Sequence, residues 1–476
     1  MTLPEWTRAE VFIGGAWKAA YDGRTVTVEN PATETAVGTA ANAGTEEVDD
    51  AVAAAGSAFD DWSGRPLAER LALLEDWYTA LVQRRDLLVA TTIAEVGAPR
   101  RVAEEAHVDT GLAVLRGYLD AADEVVWEER VGNSLVLREG AGVVACITPW
   151  NYPFYQVIAK VGGALVAGST VVLKPAELTP LSAYLLADAA QEAGLPVGVF
   201  NLVPGAGRVV GEALVTHRGV DVVSFTGSTA VGARVSAQAA STIKRVCLEL
   251  GGKSASVVLP GADLTTAVRT SVDAAMLNSG QTCTAWSRLL VPRDLLDAAG
   301  ELAAEAADRL VVGDPSLEAT DIGPVASAAQ RHSVLELIRR AVDAGATVAA
   351  GGLERPSGMA RGHFIRPTVV TDLKPDAEIV LEEVFGPVLT VQGYDDETEA
   401  LAMANATDYG LAGAVWAADT DAALSFARGM RTGQVDLNGA AFNPSAPFGG
   451  YRHSGNGREL GRWGIEEFLE TKSVQL

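Results

Sequence analysis

The chain has 476 residues with 61 acidic and 37 basic side chains, a formal net charge of −24. That length allows about three domains around a large core, and the acidic balance argues against duplex nucleic acid or an anionic membrane as partner. Three cysteines are too few for a disulfide framework and point to a reducing, cytoplasmic setting.

The first residues, Met1-Thr2-Leu3-Pro4-Glu5-Trp6, lack the basic and apolar regions of a secretory signal. Residues 11–41 alternate around Gly14-Gly15 and Asn30-Pro31 and read as short strands and turns. A helix is expected over 45–62, opening on Thr45-Glu46-Glu47. Another is expected over 67–95, with Leu71, Leu74, Trp77 and Leu81 on one face, and a third over 103–122. Residues 125–147 read as strands around a Gly132-Asn133 turn, a hairpin set between helical regions. The apolar run 161–173 is interrupted by Gly162, Gly163 and Gly168 and is too short to span a bilayer.

From there strands and helices alternate. Strands are expected at 142–148, 170–173, 199–203 and 220–225, with helices at 181–193 and 207–217. A second cycle has strands at 254–259, 289–291, 347–350 and 388–391 and helices at 295–310 and 327–344. The pattern predicts an α/β protein with two doubly wound parallel-sheet domains.

The most informative segment is Asn278-Ser279-Gly280-Gln281-Thr282-Cys283-Thr284, preceded by Glu249-Leu250-Gly251-Gly252-Lys253. It pairs a candidate thiolate nucleophile, Cys283, with a candidate base, Glu249. Cys146 and Cys247 lie in apolar runs and read as core residues. Asn151, between Pro149 and Pro153, suits donation to an oxyanion, or forms an Asx-turn. Lys174 and Glu177 follow a strand, where they either hydrogen-bond a ribose or make an exposed ion pair. Phe225-Thr226-Gly227-Ser228-Thr229-Ala230-Val231-Gly232 joins a strand to a helix. It is either a pyrophosphate site without the usual glycine spacing or a plain turn. His107, His217, His332, His363 and His453 are scattered, read as surface or capping residues, and suggest no metal.

Taken together with Glu383-Val384-Phe385-Gly386-Pro387 and Pro447-Phe448-Gly449-Gly450-Tyr451, these motifs occur in an order that resembles the NAD(P)-dependent aldehyde dehydrogenase superfamily over essentially the whole chain. The resemblance implies Cys283 as nucleophile, Glu249 as general base, Asn151 with the Cys283 backbone N–H as oxyanion hole, and Lys160 with Glu459 as proton exit. It implies Trp150, Lys174, Glu177, Gly227, Ser228, Glu383 and Phe385 as cofactor residues. NAD is favoured because Glu177 would repel a 2′-phosphate, with NADP possible.

By the same resemblance, Tyr152, Tyr155, Gln156, Ala159, Trp286, Phe442 and Phe448 wall an aldehyde tunnel. The small Ala159 suggests room for a bulky aliphatic or aromatic aldehyde. The absence of arginine argues against a carboxylate-bearing semialdehyde. The implied layout is a cofactor-binding domain from 1–122 and 141–248, a catalytic domain from 249–452, and a small β oligomerisation element from 123–140 and 453–476. A homodimer or homotetramer is expected. The rival readings are acyl transfer to coenzyme A or esterase use of the same cysteine, and a non-catalytic cofactor-binding protein.

Overall fold

Val143–Ile147, Thr170–Lys174, Phe200–Leu202 and Val222–Thr226 are short runs without a polar face, and every residue in them is buried. With Arg245–Glu249 they form the parallel centre of an eight-stranded sheet, since strands covered by helices on both faces have no need of alternation. The computed structural model describes residues 6–476, so the reading of Met1 to Glu5 as no secretory leader lies outside the described residues. Along the sheet the order is Arg245–Glu249, Val222–Thr226, Val143–Ile147, Thr170–Lys174, Phe200–Leu202. The order in which successive strands join the sheet therefore reverses between Val222–Thr226 and Val143–Ile147, the switch point at which open sheets leave a crevice at their carboxyl ends. Antiparallel strands close both edges, Glu10–Ile13 with Ala16–Ala19 on one side and Gly455–Asn456 on the other.

A second, seven-stranded sheet has Thr368–Thr371, Val388–Tyr394, Arg288–Pro292, Ala255–Val258, Gly413–Trp416 and Asp436–Leu437 in parallel. The expected strand at 347–350 lies antiparallel on its edge. In a small third sheet, Glu128–Val131 and Ser134–Gly140 form the expected hairpin, with Val131 paired to Ser134, and Leu469–Gln475 adds a third strand. Among the described residues no helix is long and apolar enough to cross a membrane.

Two helical expectations change, and one helix was not foreseen. The segment 67–95 is two helices, Leu67–Gln83 and Arg85–Val96, because Arg84 (φ −94°, ψ 4°) turns its N–H back to Leu81 and Val82 and ends the first. Within 103–122, Ala103–Asp109 is a wide π turn that continues into an α-helix at Thr110–Ala121. The helix Pro153–Ala167 was not legible from periodicity because all fifteen of its residues are buried, so it has no polar face to set a period. Gly162 and Gly163 in it let the Tyr118 ring of the Thr110–Ala121 helix approach the backbone.

Candidate active site

Three neighbouring strand ends supply one wall of the crevice. Ile147 is opposite Phe225 and Thr226 is opposite Glu249, so the Thr148–Asn151 loop, Gly227-Ser228 and Glu249 emerge side by side. Ser228 is the N-cap of the helix Thr229–Ala239 and makes no side-chain cap bond, which leaves the first-turn amides free for an anion.

The opposite wall comes from the second sheet. After the helix Leu264–Met276, Asn278 (φ 53°), Ser279 (φ 58°) and Gly280 (φ 73°) turn left-handed in succession and deliver Cys283 into the crevice. A Cβ on Gly280 would fall on the Gly386 carbonyl, and one on Gly252 would fall on the Cys283 carbonyl. The glycines of these separate motifs are thus required because their backbones cross.

Cys283 lines two cavities. One, of about 280 Å³, is walled by Tyr152, Tyr155, Gln156, Trp286, Phe442 and Phe448, together with Ala106, Thr110, Thr282, Thr284, Gln434 and Asp436. The other, of about 270 Å³, is walled by Trp150, Asn151, Gly227, Ser228, Gly251, Glu383 and Phe385. Ala159 lines neither. It is fully buried, and its carbonyl accepts the Tyr118 hydroxyl at 2.5 Å, so the room beside the cysteine is not set by its small side chain. The additional wall residues Ala106 and Thr110 come from the π turn and the helix after it, which nothing in their local sequence marks as facing a cavity.

The Thr282 hydroxyl is 2.7 Å from the Tyr152 hydroxyl. Asn151 Nδ2 donates to the Gln281 carbonyl at 3.0 Å, which uses one of its two N–H groups. Burial, reinforced by the Glu383 and Glu249 carboxylates, pushes the Cys283 thiol up to about 12. Glu249 is raised well above the usual carboxyl range by burial and by Glu459, with Lys160 opposing. Neither Glu249 oxygen has a protein partner. Lys160 and Glu459 form a buried ion pair at 2.6 Å, which leaves Glu459 Oε2 without a partner.

Glu383 Oε1 accepts the Gly252 N–H at 2.9 Å, and burial raises the carboxyl to about 7. Phe385 meets the Trp150 ring edge-on at 5.3 Å and holds a left-handed backbone (φ 53°). Lys174 and Glu177 lie beyond the 270 Å³ cavity. Lys174 Nζ donates to the Pro175 carbonyl at 2.6 Å, and burial lowers it to about 8. Glu177 Oε1 accepts the Gly207 N–H at 2.7 Å. Cys146 and Cys247 are buried in the core as expected. His107 corrects the sequence reading: it is neither at the surface nor a cap but fully buried, stacked on Tyr152.

The model of the Aldehyde dehydrogenase family matches residues 17–474. A 3-succinoylsemialdehyde-pyridine dehydrogenase from a Pseudomonas species is 47% identical over 98% of both chains. The crystal structure of an aldehyde dehydrogenase C mutant from Pseudomonas syringae, with NAD+ and octanal, superposes with a TM-score of 0.97 at 44% identity, covering 98% of this chain and 96% of that one. A Mycobacterium tuberculosis aldehyde dehydrogenase complexed with NAD+ superposes with a TM-score of 0.97 at 41% identity over 99% of both chains.

Proposed function

The chain belongs to the aldehyde dehydrogenase family, and from that premise we propose that it oxidises a long or bulky apolar aldehyde to the carboxylic acid, with NAD as oxidant and Cys283 as the acylated residue. The observation that carries this reading is that Cys283 alone of the nucleophilic side chains borders both cavities. Overall, aldehyde, NAD+ and water become acid, NADH and a proton.

The residues of the smaller cavity fit the dinucleotide. The free amides after Ser228 suit a pyrophosphate, Glu383 a ribose, and Trp150 and Phe385 a flat ring, while a side chain at Gly251 would strike the Glu383 carboxylate. When bound, the nicotinamide accepts the hydride lost by the aldehyde carbon. Glu177, held by the Gly207 N–H, would face a 2′-phosphate as a fixed negative charge, which favours NAD over NADP.

Cys283 Sγ attacks the carbonyl carbon, and its proton passes to Glu249, whose oxygens are free to take it. The second N–H of Asn151 Nδ2 and the Cys283 backbone N–H hold the resulting oxyanion. Glu249 hands that proton on to the Lys160–Glu459 pair through the open Glu459 Oε2 and is a base again. After oxidation to the thioester, Glu249 removes a proton from water, the hydroxide adds to the thioester carbon, and the C–S bond breaks to free the acid and return the Cys283 sulfur. Both the thiol and Glu249 have raised pKa values, so their reactive ionised forms grow as pH rises and the rate rises with them.

Five aromatic rings, Tyr152, Tyr155, Trp286, Phe442 and Phe448, line the larger cavity, and Asp436 is the one charged side chain among its lining residues. That wall repels a carboxylate-bearing aldehyde and accepts an apolar one. The Pseudomonas relative named for a pyridine semialdehyde and the octanal-bound structure support large substrates of this kind. A panel of linear alkanals, aryl aldehydes and succinic semialdehyde, followed by NADH absorbance and by acid formation with and without coenzyme A, tests the reading. Medium-chain and aromatic aldehydes giving free acid without coenzyme A are expected; preference for succinic semialdehyde, or an absolute need for coenzyme A, overturns it.

The same reading places the 1–122 with 141–248 segment around the cofactor, 249–452 around the nucleophile, and 123–140 with 453–476 at an interface between subunits in a homodimer or homotetramer. Its support is that the third sheet leaves the exposed strands Glu128–Val131 and Leu469–Gln475 as two open edges. Light scattering of the purified protein tests it, and a monomer would overturn it. A cytosolic site fits three unpaired thiols.

A further inference from the structure

The strand Asp436–Leu437 runs parallel to Gly413–Trp416 at one edge of the seven-stranded sheet, with Asp436 opposite Ala414 and Leu437 opposite Val415. Successive strand residues point to opposite faces. Leu437 packs with Val415, Tyr394 and Phe426, so Asp436 turns to the other face, the one that holds Ala414, Trp286 and Trp416. Trp286 walls the aldehyde cavity, and Asp436 lines that same cavity of about 280 Å³ together with Phe442 and Phe448.

Asp436 is half-buried, and little around it answers its charge. Gln434 Nε2 donates to Oδ1 at 3.0 Å; among the described residues this is the one hydrogen bond to the carboxylate, which leaves Oδ2 free. No lysine, arginine or histidine lines the cavity. Burial raises the carboxyl above its ordinary value, with Gln434 alone opposing. A carboxylate withdrawn from water without a counter-ion is unfavourable, and a cation brought to it offsets that cost. The rings beside it act in the same direction, since the face of an aromatic ring is electronegative and draws a cation. An apolar tail supplies no such partner, and a carboxylate tail is repelled.

We propose that Asp436 is a specificity-determining residue that makes the cavity prefer, among large aldehydes, those ending in a positively charged group, held between its carboxylate and the aromatic walls. The proposal rests on the reading of this cavity as the aldehyde site and deepens it: the apolar walls take the body of the substrate, and Asp436 takes the far end. An Asp436 kept only for its bond to Gln434 would leave the choice between charged and neutral tails untouched.

The test is a set of matched aldehydes: ω-(trimethylammonio)alkanals with butanal, hexanal and octanal backbones, and the neutral alkanals in which a tert-butyl group replaces the trimethylammonium. The members of a pair share shape and carbonyl and differ in one charge, so the ratio of their kcat/KM values, charged over neutral, reads the tail alone. In the full-length enzyme with saturating NAD that ratio should exceed one at the length that brings the charge to Asp436. D436N keeps the shape and removes the charge, and should lower the ratio at that length about tenfold, whatever it does to both substrates together. A wild-type ratio below one at every length overturns the role of Asp436, and this result stands whether or not D436N folds. An unchanged ratio in D436N overturns it as well. Neutral aldehydes oxidised while the charged ones are refused removes this inference alone, whereas NADH from neither series removes the reading of the cavity with it.

Discussion

In the middle of the eight-stranded sheet Val144, Ala145, Cys146, Val171, Val172 and Leu173 are fully buried and lie in paired strands. A few residues further along the same layer, the crevice holds the opposite kind of environment. Glu249, Glu459, Tyr155, Gln156, Asn278 and His107 all carry buried polar atoms without partners, and Asn278, Ser279 and Phe385 have left-handed backbones. Each unsatisfied buried group costs about 1–3 kcal/mol, and each strained residue a similar amount. The stability that the sheet supplies lets the crevice keep groups poised for charge that develops only during reaction.

That division predicts changes in the crevice that hit activity, changes between the two regions that hit stability, and a thiol chemistry that separates them. The largest effect is expected for Cys283→Ser, which should lower aldehyde oxidation by about 10⁴-fold or more while NAD binding, followed by fluorescence titration, persists. Near-normal turnover of this variant would remove the covalent mechanism altogether. Next, Glu249→Gln leaves both the thiol and the water without a base, so it should slow the NADH burst and lower steady-state turnover by about 10²–10⁴-fold. A burst at the wild-type rate with the acyl-enzyme accumulating by mass spectrometry would restrict Glu249 to thioester hydrolysis.

Between the regions, Lys160→Met strands the Glu459 carboxylate in the interior and should destabilise the fold by about 3–5 kcal/mol in urea unfolding. Adding Glu459→Gln should recover much of this, and a lack of recovery would assign the loss to packing rather than charge. The mildest test leaves the protein unaltered. With burial pushing the Cys283 thiol up to about 12, its thiolate fraction is expected to grow about tenfold per pH unit below that value. Iodoacetamide labelling of the cofactor-free enzyme should follow the same slope from about pH 7 to 10, with Cys146 and Cys247 unlabelled. A plateau at lower pH would mean that the thiol is ionised by something in the crevice.

Several parts of this arrangement were legible in one dimension. The short β-branched runs at 142–148, 170–173 and 220–225 read as parallel strands because burial on both faces removes alternation, and Gly132-Asn133 marked its hairpin. Other parts were not. Pro153–Ala167 is buried all round and so has no exposed polar face to set a helical period, and the strands Thr368–Thr371 and Gly413–Trp416 carry too few residues to stand out from their surroundings. His107 gave no sign of its place beside Tyr152, and Ala159 faces the Tyr118 hydroxyl and not the aldehyde cavity.

By itself the sequence determined the chemical inventory: a cysteine in a small, polar loop, a glutamate at a strand end, and glycines at motif positions that tolerate no side chain. Tertiary structure alone decided which of these meet, because the Gly280 to Gly386 and Gly252 to Cys283 crossings join segments far apart in the chain. It also decided their protonation, since the thiol and Glu249 acquire their raised pKa values from burial and from charges contributed by distant segments. Periodicity and spacing report only on neighbours along the backbone, whereas desolvation and Coulomb interactions depend on what the fold packs around a group in space.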